Sequence, residues 1–229
     1  KIKYSNAFLI NSGPTLLNYL PFSFGSIVKA KIFKDKYKIQ YTKFLSISSI
    51  DIFLSLIFGC FLGMLSLYHN SSIVFVHKLV LSLIFFTISV VLLFLLKVDS
   101  IILHFNIKFL GKAFKIFLIT VSDIFNSKGY FYLISLLILL RTFLIAFLFY
   151  FCFLSTDSKI DFFTAALISV LQSFLLIVNL TPAGLGIKEL LIASLTSLSG
   201  FGFNYGLAAS AIYRGISFII HLFFGIPSL

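Results

Sequence analysis

Arg141 lies well inside the apolar run Phe131 to Leu154, where an ionised side chain costs roughly 2.5 to 3.5 kcal/mol on insertion scales. Such a residue needs a partner or a task. Its planar fork suits a phosphate or a carboxylate, and the same fork can close an ion pair with Asp51 or Glu189. Asp51, about two turns into the run Phe44 to Leu67, carries the same two readings. Arg214, about two turns into Leu207 to Ile226, is placed to snorkel towards an interface.

A second group of polar residues flanks a break. Thr181-Pro182-Ala183-Gly184-Leu185-Gly186 interrupts the apolar pattern, because Pro182 lacks a backbone donor and Gly184 and Gly186 lower helix propensity. Asn179, Lys188 and Glu189 border it. Free amides at the start of the following helix, with Lys188 beside them, form an anion site in principle; the plainer alternative is that Lys188 and Glu189 neutralise each other. Near the other end, Asn11-Ser12-Gly13-Pro14 and Pro21 punctuate Ala7 to Phe24, with Asn18, Gly25 and Lys29 around the second interruption. Paired interruptions of this kind point to a substrate site in membrane transporters, since half-helix ends expose backbone groups. They read equally as two ordinary loops containing Pro and Gly.

Other chemistry is not indicated. His69, His77, His104 and His221 are scattered without paired-ligand spacing, and Cys60 and Cys152 sit inside apolar runs without CxxC or Cys/His spacing. No metal, cofactor or catalytic set is expected, and enzyme activity is not. Gly184-Leu185-Gly186 is no dinucleotide fingerprint, since Glu189 holds the third glycine position and no strand precedes it. Asn70-Ser71-Ser72 fits a glycosylation sequon of little weight.

The elements that must position these residues follow from composition. The chain is 60% hydrophobic and 11% charged, against about 45–50% and 25% in soluble domains. Phe44 to Leu67, Ile73 to Leu96 and Phe131 to Leu154 each reach the roughly 20 residues a spanning helix needs, and Leu207 to Ile226 also crosses. Phe162 to Leu180 runs up to the break, and Ile187 to about Gly200 is too short for a full span. The net charge of +11 is concentrated in gaps between runs, which excludes a nucleic-acid face and marks the Lys29 to Lys43 and Lys97 to Lys128 loops as cytoplasmic. Within the latter, Ile101, Phe105, Phe109 and their neighbours recur at helical spacing, as in an amphipathic segment lying on the membrane. The expectation is an all-α, polytopic transmembrane bundle in the plasma membrane with Gly/Pro-broken helices, one domain over residues 1–229. The start at Lys1 reads as truncation of a longer chain.

Asn18-Tyr19-Leu20-Pro21-Phe22-Ser23-Phe24-Gly25-Ser26-Ile27-Val28-Lys29 and Thr181-Pro182-Ala183-Gly184-Leu185-Gly186-Ile187-Lys188-Glu189 resemble two motifs of the lysylphosphatidylglycerol synthase transmembrane, or flippase-like, domain family, and Tyr213-Arg214 falls where that family has an arginine. Asp51 keeps the aspartate but not the Glu-Arg pair the family places before it, and Ala183 and Lys188 stand for a glycine and an arginine. The resemblance implies a domain that translocates or handles an anionic or lipid-linked substrate among membrane lipids, beside a separate synthase or glycosyltransferase. The alternatives are a membrane-embedded transferase or accessory subunit acting on a lipid-linked sugar, and a small-solute transporter.

Overall fold

A computed structural model describes residues 10, 12–19, 24–69, 81–90, 127–175 and 186–225. Among them every regular element is helical: a helical turn at residues 12–16 leading into a 3-10 turn at Leu17–Tyr19, then α1 (Phe24–Tyr37), α2 (Tyr41–His69), α3 (Leu81–Val90), α4 (Lys128–Leu154), α5 (Phe162–Leu175), α6 (Ile187–Leu198) and α7 (Phe203–Gly225). Three of these, α2, α4 and α7, are long and apolar enough to cross a membrane. The fold is an all-α transmembrane fold. At about 1.5 Å per residue, the 12 residues of α6 reach only ~18 Å, well short of a ~30 Å hydrocarbon core.

Four expectations fall partly or wholly outside the described residues: the span Ile73 to Leu96, of which α3 is the described part; the segment 97–126; the break at 181–185; and Pro21, Asn179, Pro182 and Gly184. Two are corrected. Ser12, Gly13 and Pro14 lie within helix, as Ile10 does, rather than breaking it; proline takes one hydrogen bond from a helix without having to end it. The Lys29 to Lys43 loop is mostly helix, since α1 carries Lys29, Lys31, Lys34 and Lys36 and lysine propagates a helix well. Lys38 ends α1 at φ 58: its N–H bonds the Lys34 carbonyl at 3.0 Å, the bond of an αL helix stop with lysine where glycine is usual, and the Ile39 N–H bonds the Phe33 carbonyl at 3.1 Å.

The chain divides into two compact units, one of residues 1–41, 151–159 and 175–229, the other of residues 42–150 and 160–174. In the second, Ile50 and Leu54 of α2 meet Ile138 of α4, with Phe58, Phe131 and Ile134 around them. Helices in lipid gain little from burying apolar surface against one another, so close packing has to hold them. Gly63 supplies such a fit, since a Cβ there would lie 2.6 Å from the Phe85 ring. Several hydroxyls inside the helices bond their own backbone, Ser46 Oγ donating to the Thr42 carbonyl at 2.8 Å and Thr142 Oγ1 to that of Ile138 at 2.9 Å, whereas Ser66 Oγ and Ser135 Oγ are buried without a partner among the described residues. Asp161, just before α5, caps it, its carboxylate accepting from the Thr164 N–H at 3.1 Å.

In the first unit α6 and α7 form a helical hairpin. Gly200, at φ 87, turns the chain between them, and Gly206 lets the helices touch, since a Cβ there would come within 2.6 Å of Ala193 Cα. The start of α1 seats on the N-terminal segment as closely: a Cβ on Gly25 would overlap the Pro14 carbonyl oxygen.

Candidate functional site

Among the described residues each unit holds an ion pair, and each pair is built by helix packing. In the second unit, the pairing of α2 with α4 brings Arg141 to Asp51, Nη1 lying 3.2 Å from Oδ1 and 3.3 Å from Oδ2. Nη2 donates to the Ser55 hydroxyl. Asp51, not Glu189, is therefore the partner of Arg141. Ser55 was not singled out in the sequence, though it stands one helical turn from Asp51 on the same face. The pair is electrically neutral and its side chains are 43% and 45% exposed.

In the first unit, Glu189 at the start of α6 faces Arg214 of α7, and the two form an ion pair. The other carboxylate oxygen, Oε2, accepts the Gly186 N–H at 2.8 Å. Gly186 sits at φ 83 and has no side chain to cap the helix, so Glu189 satisfies the one amide it can reach. This replaces two sequence readings: Arg214 is paired rather than snorkelling, and the carboxylate goes to Arg214 and Gly186 rather than simply cancelling Lys188. Lys188 feels both neighbours. Burial and the Arg214 charge push its ammonium below the ordinary lysine value, and Glu189 opposes them. Lys188 and Arg214 thus both interact electrostatically with one carboxylate, two cations to one anion among the described residues of the cluster, at a helix N-terminus that itself favours negative charge.

The N-terminal segment contributes to this unit too. The Tyr19 ring packs edge-on against Phe218 of α7 with centroids 5.1 Å apart. Its hydroxyl is held above the usual tyrosine range by burial, against the lowering effect of Arg214 and a hydrogen bond with Ser217. Beside it, Asn18 Oδ1 is buried and has no hydrogen-bond partner among the described residues; a Cβ on Gly25 would lie 2.5 Å from it. Lys29 is on α1. Sequence reasoning did not single out Tyr19 as a site residue, although it sat inside the first motif.

Within this unit, then, the two motif regions and the later arginine converge: Asn18 and Tyr19 from the first, Gly186, Lys188 and Glu189 from the second, and Arg214. A family model described as the lysylphosphatidylglycerol synthase TM region matches residues 1–225. The chain belongs to that family. No curated protein and no solved structure matches the chain. Membership of the lysylphosphatidylglycerol synthase transmembrane family, together with three helices able to cross a bilayer, makes this a membrane protein.

Proposed function

We propose that this chain translocates or otherwise handles an anionic lipid or a lipid-linked anion within the bilayer, flippase-like, the negative headgroup meeting Lys188 and Arg214 at the start of α6. The observation that carries the reading is the surplus positive charge held in a part-buried cluster on a helix too short to span. A phosphate supplies the missing negative charge and can accept from first-turn amides and from a guanidinium at once. Arg141 has a different place in this reading. It is neutralised by Asp51 and bonded to Ser55, so it meets a headgroup only by exchanging one anion for another. Glu189, the acid a transferase reading would recruit, has both carboxylate oxygens engaged.

The test is a headgroup-labelled lipid in proteoliposomes, with a membrane-impermeant quencher outside reporting label brought to the outer leaflet. Native protein is expected to expose an anionic lipid faster than a zwitterionic one, and Lys188→Gln to remove that preference. If none of several anionic and polyprenyl-linked lipids moves, the flippase-like reading fails and an accessory role beside a separate synthase or glycosyltransferase takes its place. The plasma membrane, with α1 on the cytoplasmic side, is the location that accompanies the reading, from the lysines that α1 carries.

A further inference from the structure

Along α1 one stripe changes character from end to end. Phe24, Ile27, Lys31 and Lys34 follow one another at three- and four-residue steps and so share a face. All four are exposed, Phe24 by 50% and Ile27 by 59%. The apolar pair occupies the first turn and the lysines the later turns. At the basic end Lys34 Nζ stands 4.5 Å over the centroid of Tyr41, the first residue of the spanning helix α2, and an aromatic ring at that position belongs to the membrane–water boundary. Asp35, the only acid on the helix, is exposed four residues after Lys31 on the same side, so the basic end is net positive rather than purely basic. The opposite side of α1 is spoken for, since Gly25 is buried against Pro14.

The geometry points to α1 as an interfacial helix that docks this stripe on an anionic bilayer surface, Phe24 and Ile27 entering the acyl-chain region while Lys31 and Lys34 lie in the phosphate layer. Charge complementarity selects the occupant. The apolar face of another helix offers the lysines no counter-charge and a zwitterionic surface no net one, whereas an anionic leaflet favours each juxtamembrane lysine by roughly a fivefold gain in local lipid concentration. The apolar end fixes depth and the basic end fixes lipid type. Such a helix enriches anionic lipid around this chain whether or not the chain transports it, and the assay below reads contact without transport.

The chain contains no tryptophan, so Phe24→Trp places a single reporter in the stripe, and Ile27→Trp provides a second should the first fail to fold. Each is reconstituted, as the full chain, in vesicles holding the same mole fraction of chain-brominated phosphatidylglycerol or brominated phosphatidylcholine. Bromines on the acyl chains are expected to quench the reporter, and phosphatidylglycerol to quench it several-fold more effectively. Lys31→Gln with Lys34→Gln abolishes that preference, as does molar salt, whereas Lys159→Gln, outside the stripe, leaves it intact. A reporter that neither lipid quenches overturns the proposal and means that protein, such as a second copy, covers the stripe. Equal quenching by the two lipids, or an equal effect of Lys159→Gln, overturns the selection of anionic lipid.

Discussion

Replacing Glu189 by Gln should move stability and anion binding in opposite directions. The change removes one charge, keeps the side-chain length, and leaves an amide oxygen able to accept from the Gly186 N–H. The attraction for Arg214 is lost, and both side chains of that pair are about one-fifth exposed, at 20% and 19%. Removing one partner of a fully buried pair costs roughly 3–5 kcal/mol and an exposed one less than ~1, which brackets the expectation here at about 2–4 kcal/mol. The cluster's surplus meanwhile rises from one positive charge to two. At an effective dielectric constant of ~20, one more net unit charge about 5 Å from a phosphate adds ~3 kcal/mol before screening, so binding should tighten at least about tenfold after it. Thermal unfolding in detergent reads the first effect, and titration with a short-chain phosphatidylglycerol reads the second. Glu189→Gln with Arg214→Gln restores a surplus of one and should recover most of the stability, while lipid binding falls back to the native level or below it because a headgroup contact is gone. An unchanged melting temperature, or weaker lipid binding in the single variant, refutes the charge accounting.

Gly25→Ala should destabilise by about 3 kcal/mol or more, the upper end for overpacking, because the new Cβ would overlap the Pro14 backbone carbonyl, whereas Gly129→Ala, with open space around it, should leave the melting temperature unchanged. Gly206→Val should open the hairpin of α6 and α7 and lower the melting temperature, with increased proteolysis near Gly200 as the check; a fully protected turn would show that the close approach to Ala193 is dispensable. Arg141→Leu strands the Asp51 carboxylate and should reduce the yield of folded protein, while Arg141→Leu with Asp51→Leu should return to within ~1 kcal/mol of native or above it, since apolar replacement of an embedded pair is often neutral or favourable. For pH, the Lys188 ammonium is lowered from the ordinary 10.5. The unfolded chain therefore holds that proton to higher pH than the folded one. Stability contributed through Lys188 rises as pH climbs from the lowered value towards 10.5, while anionic-lipid binding falls over the same window; Lys188→Gln should flatten both profiles.

The spans were legible because a bilayer imposes a length and a composition on any helix that crosses it. The run Phe44 to Leu67 is the centre of α2, Phe131 to Leu154 is nearly all of α4, and Leu207 to Ile226 overlaps α7. The shortness of α6 was legible for the same reason, with Gly186 and Gly200 marking its ends. Partner choice was not. Asp51 and Arg141 are 90 positions apart, and Glu189 and Arg214 sit on different helices. Nothing in the run lengths says which faces will meet, so Arg141 had two candidate partners and Arg214 had none. The basic stretch after Gly25 was misread as loop because topology depends on the number of lysines and not on their backbone, whereas Lys, Ala and Ile hold a helix readily once a cap such as Lys38 stops it.

An embedded charge pair and an embedded charge surplus place different demands on a membrane helix. Asp51 and Arg141 cancel, and Ser55 adds a hydrogen bond, so that cluster needs nothing from outside to remain within apolar helices. Lys188, Glu189 and Arg214 do not cancel. A third charge could have been avoided by any neutral residue at position 188, at a saving of roughly 2.5–3.5 kcal/mol if it lay at the bilayer centre. The lysine instead stands on the first turn of α6, next to the one carboxylate of the cluster, and that carboxylate is committed to Arg214 and Gly186. On the proposed reading, the charge that completes the cluster comes from a mobile anion. In a bilayer the abundant anions that carry their own apolar anchor are lipids, which is why substitutions at Lys188 test the proposed function more directly than substitutions at Arg141.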